Sequence, residues 1–395
     1  MAKFKRVFMI VTDGLGIGPD RDQITFGDAG ANTIRSASMV EEFQIDVWKK
    51  LGIGNITDLN GNYYVRKPMA YMAKVQEVSN AKDTLAGHWE MMGIRTTMPF
   101  PTFAENGFPQ ELIDKLSEAF DGRPIIGNKA ASGTDIINEL AHEENERGAI
   151  IVYTSMDSVL QICAHEVWTG LDNLYRYAKA AREICSSKPE WNVGRIIARP
   201  YIGDFGNFIR TFNRHDYANK PGENILHHLQ NAGVEVISVG KINDIFVGGG
   251  ITKHFPSEGD ANGMDITIDL AEKGGENQFI FTNLVQFDSH YGHRRNVHGY
   301  AQNISMLDVK LGKLINAMKE DDLLIITSDH GNDPLYVGFN HTRELLPATI
   351  FSKSFKSPKV LSKLNGLGTL GNIVAKNFGV RTFEEAGEDI FDLLV

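Results

Sequence analysis

An α/β architecture, with a mostly parallel sheet between helices, is predicted by three features of the sequence. Short apolar runs read as fully buried strands, segments of helical period alternate with them, and polar residues collect where the runs end. The runs are Val7–Val11, Ile150–Tyr153, Arg195–Ala198, Glu235–Val239, Phe279–Val285 and Leu323–Thr327. A strand covered on both faces needs no polar alternation, so continuous apolar runs predict parallel strands. Gln110–Phe120 carries Leu112, Ile113, Leu116 and Phe120 at helical spacing. Asn303–Met318 does the same with Met306, Leu307, Leu311, Leu314, Ile315 and Met318.

At 395 residues and 42% apolar composition the chain is long enough for two domains. Met98-Pro99-Phe100-Pro101 reads as a hinge and Ala218-Asn219-Lys220-Pro221-Gly222 as a second break. Residues 101–217 are therefore expected to form an inserted α/β cap domain, with 1–100 and 218–395 forming one discontinuous core. Gly248-Gly249-Gly250 reads as a flexible loop. The formal net charge of −10 argues against general affinity for nucleic acid or an anionic membrane. No apolar stretch reaches the roughly 18 residues of a membrane span. The short apolar run after the basic start ends in Thr12-Asp13-Gly14 with no cleavage pattern, so a buried strand is expected rather than a signal peptide. The cytoplasm is the expected location. No obligate protein partner is evident. Cys163 and Cys185 form no CxxC pair, and a disulfide between them is left open.

The chemistry lies at the strand ends. Asp13, Asp157, Lys241, Asp288 and Asp329 all fall at or just past the C-terminal end of a run, the edge where open α/β sheets bind ligands. Thr327-Ser328-Asp329-His330-Gly331-Asn332 follows one strand, with His341 eleven residues beyond His330. Asp288-Ser289-His290-Tyr291-Gly292-His293 follows another, and Asp13 a third. A single Asp-His pair is usually a surface loop and a single strand-end Asp often a helix cap. Three carboxylates and three imidazoles at one sheet edge are a different matter. Mixed Asp/His ligation suits zinc, manganese or iron, and six ligands suit two ions. Two neighbouring ions clamp both oxygens of an in-line phosphoryl displacement.

Lys82-Asp83-Thr84-Leu85-Ala86-Gly87-His88-Trp89-Glu90 reads as a loop entering a helix with Thr84 near its start. A helix N-terminus favours phosphate, and a hydroxyl beside a metal ion becomes a nucleophile. Simple capping by Asp83 or Thr84 is the alternative. Ser132-Gly133-Thr134-Asp135 likewise offers an anion site or an ordinary cap.

These residues resemble the alkaline phosphatase superfamily and, within it, the phosphopentomutase family, over essentially the whole chain. The more specific segments are Asp83–Glu90, Asn128-Lys129-Ala130-Ala131-Ser132-Gly133-Thr134 and Gly194-Arg195-Ile196-Ile197-Ala198-Arg199-Pro200. The resemblance implies an alkaline-phosphatase-like core and an exchange of ribose or deoxyribose 1-phosphate with the 5-phosphate. It implies two manganese ions, one on Asp13, Asp329 and His330 and the other on Asp288, His293 and His341. Thr84 would lie between them as a phosphothreonine, primed by a sugar bisphosphate such as glucose 1,6-bisphosphate, with a bisphosphate intermediate. A cofactor-independent phosphoglycerate mutase or a phosphatase of the same superfamily is the alternative, and a non-enzymatic metal-binding module a third. A mutase must exclude water, a task for an inserted domain closing over the metal edge.

Cationic partners for the phosphate that stays in place are expected at Arg195, Arg210 and Lys241. Ser155, Asp157, Val159 and Ile197 lie near matching strand ends, where the resemblance places ribose phosphate contacts. Arg294 and Arg295 read either as transition-state cations or as supporting groups. His88, His290 and His298 are candidates for orienting the ligands.

Overall fold

The computed structural model describes residues 2–155 and 158–394. In chain order, β1 (Arg6–Thr12) and β2 (Tyr71–Gln76) come first. Then follow β3 (Ile125–Ala130), β4 (Ile150–Thr154), β5 (Val159–His165), β6 (Arg195–Ile202), β7 (Ile209–Arg210) and β8 (His215–Ala218). The remaining strands are β9 (Glu235–Val239), β10 (Lys253–Phe255), β11 (Gln278–Leu284), β12 (Asp322–Thr327), β13 (Leu346–Phe351) and β14 (Leu364–Asn365).

Two compact units emerge, one of Met1–Met98 with Pro221–Val395, the other of Pro99–Lys220. In the first, the described strands run in the order β10-β9-β11-β1-β12-β13-β2-β14. From β10 to β12 every neighbour is parallel, whereas β13 is antiparallel to both β12 and β2. All of β1 is buried, as a strand covered on both faces must be. Phe8, Ile10, Ile280, Leu324 and Ile326 share a core with Tyr300, Ile304, Leu307, Leu311 and Leu314 of the helix Val297–Ala317. That helix starts earlier than its periodicity predicts, because the Asn296 side chain accepts from Gly299 N and caps it. Gly299 had weakened the apolar stripe.

The register of β1 positions the site. At its start, Arg6 stands opposite Asp322 and binds its carboxylate through Nε and NH2, at 2.8 and 2.5 Å. Arg6 NH1 also donates to the carbonyls of Leu270 and Ala271. Both side chains of the pair are fully buried, so a one-residue slip would leave two unpaired buried charges. With the register pinned there, Thr12 stands opposite Leu284 and Val11 opposite Thr327 at the other end. Three adjacent parallel strands thus finish level.

The inserted unit has its own sheet, β3-β4-β5-β6-β7, with β8 paired to β6. Here the reading of the runs Ile150–Tyr153 and Arg195–Ala198 as parallel strands holds on one side of each only. β4 is parallel to β3 but antiparallel to β5, and β6 is parallel to β5 but antiparallel to β7 and β8. Apolar runs report burial on both faces, not direction. Residues 246–250 are also not a slack loop: Gly248 N donates to Asn243 O and Gly249 N to Phe246 O. A side chain on Gly250 would meet the Leu226 backbone at 2.5 Å. Cys163 and Cys185 are buried free thiols. No described helix is long and apolar enough to cross a membrane.

Candidate metal centre

Each level strand end delivers one ligand segment. Asp13 follows β1 directly. Asp329 and His330 follow β12. After β11 the chain makes a π-turn, Phe287–Gly292, closed by His293 N donating to Asp288 O at 2.9 Å. This wide turn brings Asp288 and His293 to one point, a recurrent use of π geometry. His341 comes from the segment ahead of β13, tied back by the mutual Gly331 and Thr342 backbone hydrogen bonds.

The ligand atoms converge. His293 Nε2 lies 3.3 Å from Asp288 Oδ2, His341 Nε2 3.2 Å from Asp288 Oδ1, and the two Nε2 atoms 3.0 Å apart. His330 Nε2 lies 3.4 Å from Asp13 Oδ1 and 3.5 Å from Asp329 Oδ2. Ligands roughly 2.1 Å from a shared divalent ion sit about 3.0–3.4 Å from one another, so these spacings suit coordination edges. Asp288, His293 and His341 form one candidate group; Asp13, Asp288 and His330 form another. The two groups meet at one residue. Asp288 faces both groups, and Asp329 joins the second through its Oδ2 contact with His330.

The tautomers are fixed to match. Nδ1 of His330, His341 and His293 lies 3.0, 3.0 and 2.8 Å from the carbonyls of Gly331, Lys82 and Phe339. A carbonyl only accepts, so each Nδ1 carries the proton and each Nε2 turns a lone pair to the cluster. Asp329 Oδ1 accepts from Gly14 N and His330 N, while Oδ2 is buried with no hydrogen-bond donor among the described residues. His88 Nδ1 stands 3.1 Å from Oδ2 but also 2.9 Å from Thr84 O, and the carbonyl takes its proton. An orphaned carboxylate oxygen at such a point fits a cation.

The electrostatics agree. Burial alone would raise the Asp288 carboxyl, yet the His341 and His293 rings hold it well below the usual range. Burial likewise opposes ionisation of Asp329, and the charge of the neighbouring His330 ring is the main cause that pulls it down to about 2. Burial would lower the His330 imidazolium, but Asp329, Asp13 and Asp288 raise it well above its ordinary value. This edge calls for positive charge, and a divalent ion at the Nε2 lone pairs supplies it.

Thr84 opens the helix Thr84–Met91. Asp83, not Thr84, is the cap, its Oδ1 accepting from Leu85 N and Ala86 N. Thr84 Oγ1 is left pointing at the cluster, 3.3 Å from His330 Nε2 and 3.5 Å from Asp13 Oδ1. The helix can approach this closely because residue 87 is glycine; a Cβ there would sit 2.2 Å from Asp329 O. Gly87→Ala is expected to push the helix and Thr84 off the cluster. It should cost about 1–3 kcal/mol of stability, as overpacking does. A turnover loss exceeding the thermal shift is expected on comparing the two.

Sequence reasoning missed Asn283 and Asn332. Asn283 Nδ2 donates to Asp13 Oδ2 and His88 Nε2, both at 3.0 Å, and so locks His88 into the tautomer that serves Thr84 O. Asn332 Nδ2 donates to Asp288 Oδ1 at 2.7 Å. A polar residue inside the run Phe279–Val285 was the available signal for Asn283. His290 and His298 are not cluster residues: they bond Ser289 Oγ and Glu42. Arg294 is exposed.

The candidate substrate residues fall in both units. Val159, Arg195, Ile197 and Arg210 lie on the inserted sheet, with Arg195 opposite Val159 in register and 3.9 Å from Asp216. Ser155 follows β4, and Asp157 lies outside the described residues. Lys241 belongs to the other unit, at the start of the short helix Ile242–Ile245. Arg210 shares a pocket with Arg199 and Arg214. Ser132 is an ordinary cap that accepts from Asp135 N.

A buried Asp/His cluster at the C-terminal edge of a parallel α/β sheet defines a metalloenzyme. Residues 5–382 match the model of the metalloenzyme superfamily, and the chain belongs to it. The fold aligns with Leishmania mexicana phosphoglycerate mutase at a TM-score of 0.51, covering 97% of each chain at 12% identity, a likeness of fold alone. The chain is 59% identical to the phosphopentomutase of Mycoplasmopsis pulmonis over 99% of both chains. It is 50% identical to that of Clostridium tetani over 96% of both. The chain therefore belongs to the phosphopentomutase family and is an enzyme of the isomerase class.

Proposed function

We propose that this enzyme interconverts ribose or deoxyribose 1-phosphate and the 5-phosphate by way of a phosphothreonine at Thr84. The observation that carries this reading is the Thr84 hydroxyl held within 3.5 Å of both Asp13 Oδ1 and His330 Nε2, at the first residue of a helix capped by Asp83. Asp13, Asp329 and His330 would hold one manganese ion and Asp288, His293 and His341 the other. When bound, the ions lower the pKa of the Thr84 hydroxyl and offset charge on the transferring group.

In the reading advanced here, the free hydroxyl of a pentose monophosphate attacks the phosphorus on Thr84. The sugar O–P bond forms as the Thr84 Oγ1–P bond breaks, and the sugar hydroxyl proton ends on Thr84 Oγ1. The bisphosphate then turns, and Oγ1 attacks its other phosphorus, releasing the isomer and restoring the phosphothreonine. A sugar bisphosphate such as glucose 1,6-bisphosphate would load Thr84 at the outset. Arg195, Arg210 and Lys241 are proposed partners for the phosphate that does not transfer. Ser155, Asp157, Val159 and Ile197 are proposed sugar contacts.

The test is to incubate enzyme, manganese and a trace of glucose 1,6-bisphosphate with ribose 5-phosphate. Ribose 1-phosphate is the expected product. Free phosphate without the isomer would show a phosphatase and overturn the reading.

A further inference from the structure

We propose that Arg295 is a positioning residue for the ion at Asp288, His293 and His341, and not for the ion at Asp13, Asp329 and His330. The proposal rests on reading those six residues as ion ligands. Arg295 follows the π-turn and holds φ at +52°, in the left-handed region that costs a side-chain-bearing residue. Such strain persists only where surrounding contacts impose it. Those contacts lead to two ligands.

The first route runs through Asn332. Arg295 NH1 donates to Asn332 Oδ1 at 2.8 Å. With its oxygen held there, the carboxamide must turn Nδ2 to Asp288 Oδ1, 2.7 Å away. The second route runs through the segment that follows. NH1 donates to Asp333 O at 2.7 Å, Nε to Gly338 O at 2.5 Å and NH2 to Asn340 O at 3.4 Å. The guanidinium also lies over the Phe339 ring, 5.7 Å from its centroid. Between the two anchored carbonyls is Phe339 O, the acceptor for His293 Nδ1. One planar cation thus orients the carboxylate of Asp288 and fixes the tautomer of His293.

Among the described residues, none of its hydrogen bonds reaches Asp13, Asp329 or His330. Their supports are Asn283, Gly14 N and the Gly331 carbonyl. A fork-shaped cation is needed here because several acceptors in different directions must be held at once; the point charge of lysine cannot span them. The residue therefore acts on one ion through its ligands' partners, the kind of contact whose loss weakens metal affinity about 10–100-fold.

The experiment is a manganese titration of full-length enzyme, read by calorimetry and by the paramagnetic signal of free manganese, alongside turnover at each manganese concentration. Wild type is expected to bind two ions per chain. Arg295→Met and Arg295→Lys are each expected to keep one ion at wild-type affinity and to weaken the other about 10–100-fold. Turnover should return towards wild type as manganese is raised. Asn332→Leu, which breaks the first route alone, should weaken the same ion and serves if the Arg295 variants do not fold. Two ions at wild-type affinity with low, manganese-independent turnover would make Arg295 a transition-state group and overturn the proposal. Equal weakening of both ions would overturn its selectivity. Fewer than two ions on wild type would overturn the ligand assignment itself, and that result appears before any substitution is made.

Discussion

Thr84→Ala is expected to abolish isomerisation, lowering turnover by roughly 10⁴-fold or more, while manganese binding stays near normal. Removing a covalent carrier removes a step rather than weakening it, so losses of this size are the rule. A 10⁴-fold loss corresponds to about 5 kcal/mol of transition-state stabilisation. Loss of a single hydrogen bond gives only about 1 kcal/mol, so the magnitude separates the carrier role from a positioning one. Metal content should persist because the side chains of Asp13, Asp288, Asp329 and the three histidines are fixed by neighbours other than the Thr84 hydroxyl. Mass spectrometry after incubation with glucose 1,6-bisphosphate should find one phosphoryl group on the wild-type peptide containing Thr84 and none on the variant. Thr84→Ser keeps the nucleophile and should keep part of the activity. Full turnover in Thr84→Ala would remove the phosphothreonine from the mechanism.

The second large effect is expected at Asp288. Its two oxygens face His293 and His341, and it belongs to both candidate groups. Asp288→Ala should therefore deplete chiefly the ion on Asp288, His293 and His341, whereas Asp329→Asn should deplete mainly the ion on Asp13, Asp329 and His330. Chelation of the wild-type enzyme should likewise stop turnover and lower thermal stability. The direction follows from linkage: an ion that binds only the folded chain stabilises it, by about 2.7 kcal/mol at a hundredfold excess over Kd. Three buried carboxylates left without their cation add to the loss. Metal analysis and a melting curve with and without manganese check both statements. An Asp288→Ala enzyme that retains two ions would show that its carboxylate is not a ligand.

The ligand residues stood out in the sequence because their constraint is local. A carboxylate placed just past an apolar run is carried to the sheet edge by the strand itself, as Asp13 and Asp329 are. Burial of β1, β11 and β12 on both faces was equally plain from their unbroken apolar runs. The proposed carrier role of Thr84 rests on resemblance. Its own segment left capping by Thr84 open until the Asp83 carboxylate was seen to satisfy Leu85 N and Ala86 N.

What the sequence by itself determined was the inventory: an α/β core, six candidate ligands and the hydroxyl of Thr84. Strand direction in the inserted sheet, the membership of Asp288 in both candidate groups, and the contacts of Asn283, Asn332 and Arg295 were decided only by tertiary structure. The reason is physical. Periodicity and strand-end chemistry act over a few residues and leave their mark in consecutive letters. A hydrogen bond from Asn283 to Asp13, or from Asn332 to Asp288, joins residues far apart in the chain and exists only once β11, β1 and β12 lie side by side in register.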